Sequence, residues 1–316
     1  MISSLELARL CGVSQGTVDR ALHNRGRINP ETRRRILAVA AEHGYVPNPA
    51  AREIMTGQST LVGVVAPAIT SIFFMDLMEQ LRIRLREHGM RMLLAPSQDP
   101  DETVELLRDF AARRACAAVI VPPTDEFTVP EDISRALPIV SLVNPCGGDN
   151  VTFVGPDERS AGRMGVEYLA SRGHRRILFL SYERRSWAMQ EREDGYLQGM
   201  RRLQGEPCIE TNVTDTSLGQ AVEAYRPSAI FCHNDWLALS AIRHLGASGY
   251  RVPADISVMG IDNTPAFVAL CPDITTLTYP TEAVAAAAAS VLRGKRLRGR
   301  RGRFTVAARA TVRSVG

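Results

Sequence analysis

The chain has 316 residues, 45% of them hydrophobic and 23% charged, with a formal net charge of +4. That length exceeds one ordinary core and predicts two or three domains, and the composition is that of a folded globular protein rather than a disordered or fibrous one. The small net charge excludes a polyanion-binding surface spread over the whole molecule, and no apolar run approaches the ~20 residues of a membrane span.

The first 57 residues organise the chain. Ser3 followed by Glu6 is a capping box, so a helix starts there, with Leu5, Leu7, Ala8, Leu10 and Cys11 at helical spacing. Gly12 permits the left-handed conformation that ends it, Val13 anchors a tight turn, and Ser14 caps a second helix. Two short helices joined in this way form a helix-turn-helix, whose second helix enters the major groove of DNA. A third helix opens at Asn29-Pro30-Glu31, carries Ile36, Leu37, Val39 and Ala40 on its apolar face, and ends at Gly44. Asn48 and Pro49 start one more short helix that Gly57 closes. Arg20, Arg25, Arg27, Arg33, Arg34 and Arg35 crowd this region and supply phosphate contacts.

Beyond a polar joint at Gln58 to Thr60, strand-like and helix-like stretches alternate. Leu61 to Ala66 is a continuous apolar strand of the kind buried on both faces of a parallel sheet. Helix Phe74 to His88, strand Arg91 to Ala95, helix Asp101 to Arg113, strand Ala117 to Val121, strand Pro138 to Val143 and strand Val151 to Val154 follow. A second round runs through helix Ser160 to Ser171, strand Arg176 to Leu180, a helix near Gln190 to Leu203, and a polar strand or loop from Cys208 to Val213. It continues with strand Ser228 to Cys232, helix Asp235 to Gly246 and strand Ile256 to Ile261. An alanine-rich helix, Glu282 to Leu292, precedes a basic stretch read as a solvated loop, and the last strand is expected over Phe304 to Val312. Repeating units of this length imply doubly wound parallel sheets in two subdomains.

The six cysteines show neither a Cys-x-x-Cys nor a histidine at zinc spacing, and are read as reduced thiols of a cytosolic protein without a metal site. The immediate capped helix predicts no signal peptide. There is no Gly-x-Gly-x-x-Gly after the first strand, no Walker-type loop and no Gly-x-Ser-x-Gly, so neither a nucleotide cofactor nor catalysis is indicated.

The run Gly12-Val13-Ser14, Thr17-Val18-x-Arg20, Glu31-Thr32-Arg33 and Gly44-Tyr45-x-Pro47-Asn48 resembles the head of lactose-repressor-type (LacI/GalR) transcription regulators. The resemblance continues through Gly173-His174-Arg175-Arg176-Ile177, Glu191-Arg192-x-x-Gly195-Tyr196 and Asn234-Asp235-x-x-Ala238. It extends to Val252-Pro253-x-Asp255-Ile256-Ser257-Val258-x-Gly260-x-Asp262. It implies a small all-α helix-turn-helix head at 1–46, a hinge helix and linker at 47–60, and an α/β core at 61–316. The core is expected to hold two Rossmann-like (periplasmic-binding-protein-like) subdomains. The first spans about 61–158, the second about 159–274, with an uncertain crossover region near 240–275 and a C-terminal segment that crosses back.

On the recognition helix, Gln15 and Arg20 suit bidentate contacts to base edges, Ser14, Thr17 and Asn24 suit phosphates, and Gly16 permits close backbone approach. Asp19 stands where the family usually has serine or threonine; it accepts from a cytosine amine or pairs with Arg20 or Arg9. The resemblance makes Ile54 an apolar wedge for the minor groove. In the cleft, Arg192, Asn234 and Asp262 match family ligand contacts and suit vicinal hydroxyls, while Phe73 and Trp236 suit the apolar face of a sugar ring. Ser71, Asp235, Trp187 and Asn144 are further candidates; Asp235 and Asp262 have the alternative of capping a turn or helix. The expected protein is thus a cytoplasmic, nucleoid-associated regulator, a repressor that binds double-stranded palindromic operator DNA as a homodimer. It answers to a small effector, a sugar or polyol, with no cofactor, no membrane and no enzymatic activity. The alternatives are a periplasmic-type solute-binding protein without DNA function and a Rossmann-type enzyme.

Overall fold

A computed structural model describes residues 2–22, 26, 28–46, 59–67, 71–183, 186–211, 215–295 and 302–315. The chain divides into two compact units, Met1–Ser59 and Thr60–Gly316. The predicted hinge helix, Ile54 and Asn24 lie outside the described residues.

The first unit is helical: α1 (Ser4–Leu10), α2 (Gln15–Leu22) and α3 (Pro30–Glu42). Both halves of the capping box form, with the Ser3 hydroxyl accepting from Glu6 N and the Glu6 carboxylate accepting from Ser3 N at 2.7 Å. Gly12 turns the chain at φ +60°, a conformation that a β-carbon would penalise. Leu7, Val18, Ala21 and Ile36 make the small core, and Leu22 packs at its edge. Leu5, Leu10 and Leu37 share the apolar spacing but face solvent, because three short helices enclose only one residue per turn from each.

The second unit holds two sheets. Among the described residues the first has five parallel strands in the order β2-β1-β3-β4-β5: Leu61–Ala66 (β1), Arg91–Pro96 (β2), Ala117–Ile120 (β3), Ile139–Leu142 (β4) and Val151–Val154 (β5). Helices α4 (Ile72–Glu87), α5 (Pro100–Ala112) and α6 (Glu131–Ala136) flank it. The second sheet has the order β11-β10-β9-β8-β6-β7. Its strands are Ile177–Leu180 (β6), Cys208–Glu210 (β7), Ala229–Cys232 (β8), Ser257–Asp262 (β9), Thr275–Thr278 (β10) and Thr305–Ala307 (β11). All pair in parallel except β11, which runs antiparallel to β10. Its helices are α7 (Glu158–Ser171), α8 (Trp187–Arg202), α9 (Asp215–Tyr225), α10 (Asp235–Ala247) and α11 (Pro265–Leu270). β1, β3, β4, β6, β8 and β9 are buried almost throughout, as strands covered on both faces must be.

The chain passes from the first sheet to the second between β5 and α7 and crosses back through α12 (Thr281–Leu292); the region 240–275 is no crossover but belongs to the second sheet and its helices. α12 follows β10 of the second sheet yet packs on α4, β4 and β5 of the first; β11 then returns. Buried Ala285, Ala288 and Ala289 let it lie close. The last strand covers only Thr305–Ala307, not Phe304 to Val312: beyond it Thr311 leaves the ladder, its hydroxyl donating to Val258 O and accepting from Thr275 N. Among the described residues no helix is long and apolar enough to cross a membrane.

Candidate effector cleft and DNA-reading helix

The C-terminal ends of β1, β3 and β4 in one sheet and β6, β8 and β9 in the other face a common cleft of about 530 Å³. This is where open α/β sheets place ligands, because the loops leaving the strand ends are free to carry side chains.

Arg192, on α8, is 4% exposed and lines the cleft. Its Nε donates to Glu158 Oε2 at 2.7 Å and its Nη1 donates to the His233 carbonyl at 2.8 Å. Glu158, in the first turn of α7, is fully buried. Burial works against the guanidinium's charge, but Glu158 and Asp262, with a smaller part from Tyr279, together offset it and the arginine stays ionised. Burial, reinforced by Arg192, keeps His233 neutral.

Asp262 ends β9 at φ +132° and Asn263 follows at φ +56°, two consecutive non-glycine residues in strained backbone. Such residues cost ~1–3 kcal/mol each and persist only where the surroundings hold them. Here Asn263 N donates to Asp235 Oδ2 at 2.7 Å, Asn263 Nδ2 donates to Thr278 Oγ1 at 2.8 Å, and Arg309 Nη2 donates to Asn263 Oδ1 at 2.6 Å. The strained turn presents Asp262 to the cleft. Burial raises the Asp262 carboxyl well above its usual range, with Arg192 opposing and Asp235 reinforcing.

The remaining candidates divide. Ser71, Phe73, Asn144 and Asn234 line the main cleft. Asn234 spends its carbonyl oxygen capping α10 (Leu237 N, 2.8 Å) and accepting from Tyr182 Oη at 3.2 Å, which leaves its amide nitrogen for the cleft. Phe73 is fixed edge-on against Tyr279, ring centroids 4.8 Å apart. Asp235 and Trp236 line a smaller neighbouring compartment, and Asp235 is committed to the strained turn as the turn-holding alternative describes. The Trp187 ring packs edge-on against Phe153 and is not among the cleft's lining side chains.

Three contributors were missed. Glu158 is one. Asp125 is another: its carboxylate accepts from Trp187 N at 2.7 Å and from Gln190 Nε2 at 2.9 Å. Asn144 Oδ1 accepts from Ala188 N at 3.1 Å, so loops of the first sheet cap the first turn of α8, which belongs to the second. The bonds from Trp187 N and Ala188 N satisfy backbone donors a helix start leaves open, and with the Gln190 bond they hold the two sides of the cleft together. Tyr182 is the third. A helix-start signal marks Glu158 as a first-turn acid, but nothing local marks any of the three as part of a cleft.

Burial pushes the Asp235 carboxyl up to about 7, with its hydrogen bonds opposing. The folded value lies above the ~3.9 of a free aspartate, so the folded state holds the proton more tightly than the unfolded state. This group's contribution to stability is therefore greatest below about pH 4 and declines as pH rises towards 7. Asp235→Asn keeps an acceptor for Asn263 N and removes the titration. Thermal melts are expected to favour the variant more at about pH 8 than at about pH 5; the same difference at both would show that Asp235 does not ionise in this range.

In the helical unit, Ser14 Oγ accepts from Thr17 N at 3.2 Å and caps α2. Ser14, Gly16 and Arg20 are exposed on α2, while Val18 and Ala21 face the core. Arg20 folds back, its Nε donating to Gly16 O and its Nη2 to Thr17 Oγ1. Gln15, expected at a base edge, instead donates from Nε2 to Ser4 Oγ at 2.6 Å, because the start of α1 lies within its reach. Arg33 donates to Ala21 O and Arg35 to Cys11 O, so two of the basic residues brace the ends of α2 and α1.

Residues 5–48 match the family described as bacterial regulatory proteins, lacI family, and residues 166–312 match the periplasmic binding protein-like domain. The chain is 28% identical over 298 residues to the HTH-type transcriptional regulator GalS of Salmonella typhimurium, covering 90% of this chain and 87% of that protein. It is 27% identical over 295 residues to the regulator DegA of Bacillus subtilis, covering 89% and 87%. The chain carries a lacI-family DNA-binding head and a periplasmic-binding-protein-like domain, the arrangement of LacI-family regulators. It is a ligand-responsive, DNA-binding transcription regulator, not an enzyme. The solved structure of the lac repressor dimer bound to operator and the anti-inducer ONPF shares the fold, with a TM-score of 0.81, 22% identity and 99% coverage of both chains. The CelR–cellobiose complex also shares it, with a TM-score of 0.69, 23% identity and coverage of 98% and 100%.

Proposed function

We propose that the protein is a repressor that binds a palindromic operator as a homodimer, and that a sugar or polyol in the cleft changes that binding. The observation that carries the effector reading is the convergence of Arg192, Asn234 and Asp262 on one cleft beside the Phe73 ring. A guanidinium, an amide and a carboxylate suit vicinal hydroxyls, and the aromatic ring suits the apolar face between them. The solved complexes of the lac repressor with operator and of CelR with cellobiose support the same reading. A dimer presents two helix-turn-helix units to two half-sites, which matches palindromic DNA. The protein then works in the bacterial cytoplasm, at the nucleoid. The roles proposed from sequence for Asn24 at a phosphate and Ile54 as a minor-groove wedge belong to this reading.

A thermal-shift screen of sugars and polyols tests it, since a ligand that binds only the folded state raises the melting temperature by mass action. A hit must then alter DNA affinity; a hit that leaves DNA binding unchanged would favour a solute-binding role.

On the DNA side, Arg20 is exposed and its internal bonds are to its own helix, so it can turn outward at little cost. Arg20→Ala is expected to lose ~1–3 kcal/mol on the selected operator and much less on random DNA. Equal losses in a filter-binding comparison would make Arg20 a phosphate contact.

A further inference from the structure

The cleft has two compartments, and the second points to the size of the effector. The smaller one, about 380 Å³, shares Ser71, Phe73, Tyr182, Asn234 and Asp262 with the main cleft, so the two adjoin along these residues. Beyond this shared wall it is lined by Trp236, Phe267 and Ile72, with Asp235 and Thr264 beside them. Both volumes fall within the ~300–1,000 Å³ of small-molecule sites.

Trp236 is the second residue of α10 and directly follows Asn234, which lines both compartments, and Asp235. Its neighbours Leu237 and Ala238 are buried, yet its indole is 62% exposed. An indole left at the rim of a largely apolar pocket with a few polar groups offers an apolar face and one N–H donor, a combination that suits the alternating apolar and hydroxylated surface of a sugar ring. A single ring held by Arg192 and Asp262 leaves this compartment unused.

Building on the cleft assignment above, we infer that the effector is a compound of two linked rings, such as a disaccharide. One ring is held by Arg192 and Asp262, the linkage passes the wall residues the two compartments share, and the second ring lies on Trp236.

The chain has two tryptophans, so Trp187→Phe leaves Trp236 as the sole indole reporter. Full-length protein carrying this change is titrated with α- and β-linked disaccharides, each beside its component monosaccharides. At least one disaccharide is expected to change Trp236 emission and to bind about tenfold or more tighter than its components. Trp236→Ala in otherwise native protein, read by calorimetry, is expected to bring that disaccharide to within about threefold of the monosaccharide while monosaccharide affinity holds. A monosaccharide that binds as tightly as every disaccharide, or disaccharide affinity unchanged in Trp236→Ala, overturns the two-ring inference and leaves the cleft assignment standing. Trp236 emission that changes on dilution but not with sugar overturns it in favour of a second copy of the chain covering the indole. Failure of every sugar to bind overturns both readings.

Discussion

Arg192→Ala is expected to abolish the effector response and, separately, to cost the core unit ~3–5 kcal/mol of stability, the usual effect of stranding one partner of a buried ion pair. The stranded partner is Glu158, 0% exposed and bonded to Arg192 at 2.7 Å. The His233 carbonyl loses its donor as well. Ligand loss in the single variant is therefore ambiguous, and a second variant resolves it. Glu158→Leu with Arg192→Met replaces the pair by apolar side chains of similar size, which is often neutral for stability. The double variant is expected to melt near the native protein and still bind no sugar in calorimetry. Recovery of sugar binding together with stability would show that Arg192 only supports the fold.

The second large effect is expected at Gly162. Helices α7 and α8 approach so closely that a β-carbon on Gly162 would stand 2.0 Å from the Arg192 carbonyl oxygen, and one on Gly195 would stand 2.0 Å from the Arg159 carbonyl oxygen. Both obstacles are backbone, so no side chain can rotate away. Gly162→Ala must push α8 outward, carrying Arg192 with it. Overpacking of this kind costs ~1–3 kcal/mol or more, and a 1 Å misplacement of a polar group is enough to spoil its contacts. Denaturant melts should show the stability loss, and sugar affinity should fall more than tenfold in protein that is still folded at about 25 °C, by analogy with misplaced positioning groups. Native-like affinity in the variant would mean that the contact between the two helices does not set the position of Arg192.

How far these features were legible in the sequence depended on how far apart the partners lie. The capping box at Ser3 and Glu6, the turn at Gly12 and the cap at Asn29 are settled within a few residues, and the structure has each of them. The buried strand Leu61–Ala66 was readable from its unbroken apolar run. Strand Thr275–Thr278 was not, because Thr275 and Thr276 look polar yet are fully buried, with Thr275 Oγ1 accepting from Arg309 N. Helix α9 escaped notice because Gly219 interrupts a short and weakly apolar stretch. Cleft residues at strand ends came together in the structure, since the α/β topology itself delivers them there. Their partners did not announce themselves: Glu158 is 34 residues from Arg192, and Asp125 is 62 from Trp187. Pairings of that separation follow from how the two sheets meet, which no local pattern encodes.

A ligand in the cleft is expected to change how the helix-turn-helix unit holds DNA. The most direct measurement is the affinity of full-length protein for an operator chosen by it from random duplexes, read by fluorescence anisotropy with and without a saturating sugar from the thermal-shift screen. An inverted repeat is expected among the selected duplexes. An affinity change of about fivefold or more is expected on adding sugar, the low end of ordinary coupling between two sites, lost in the Glu158→Leu, Arg192→Met protein. Selection of no common sequence, or an operator affinity that is the same with and without bound sugar, would contradict it.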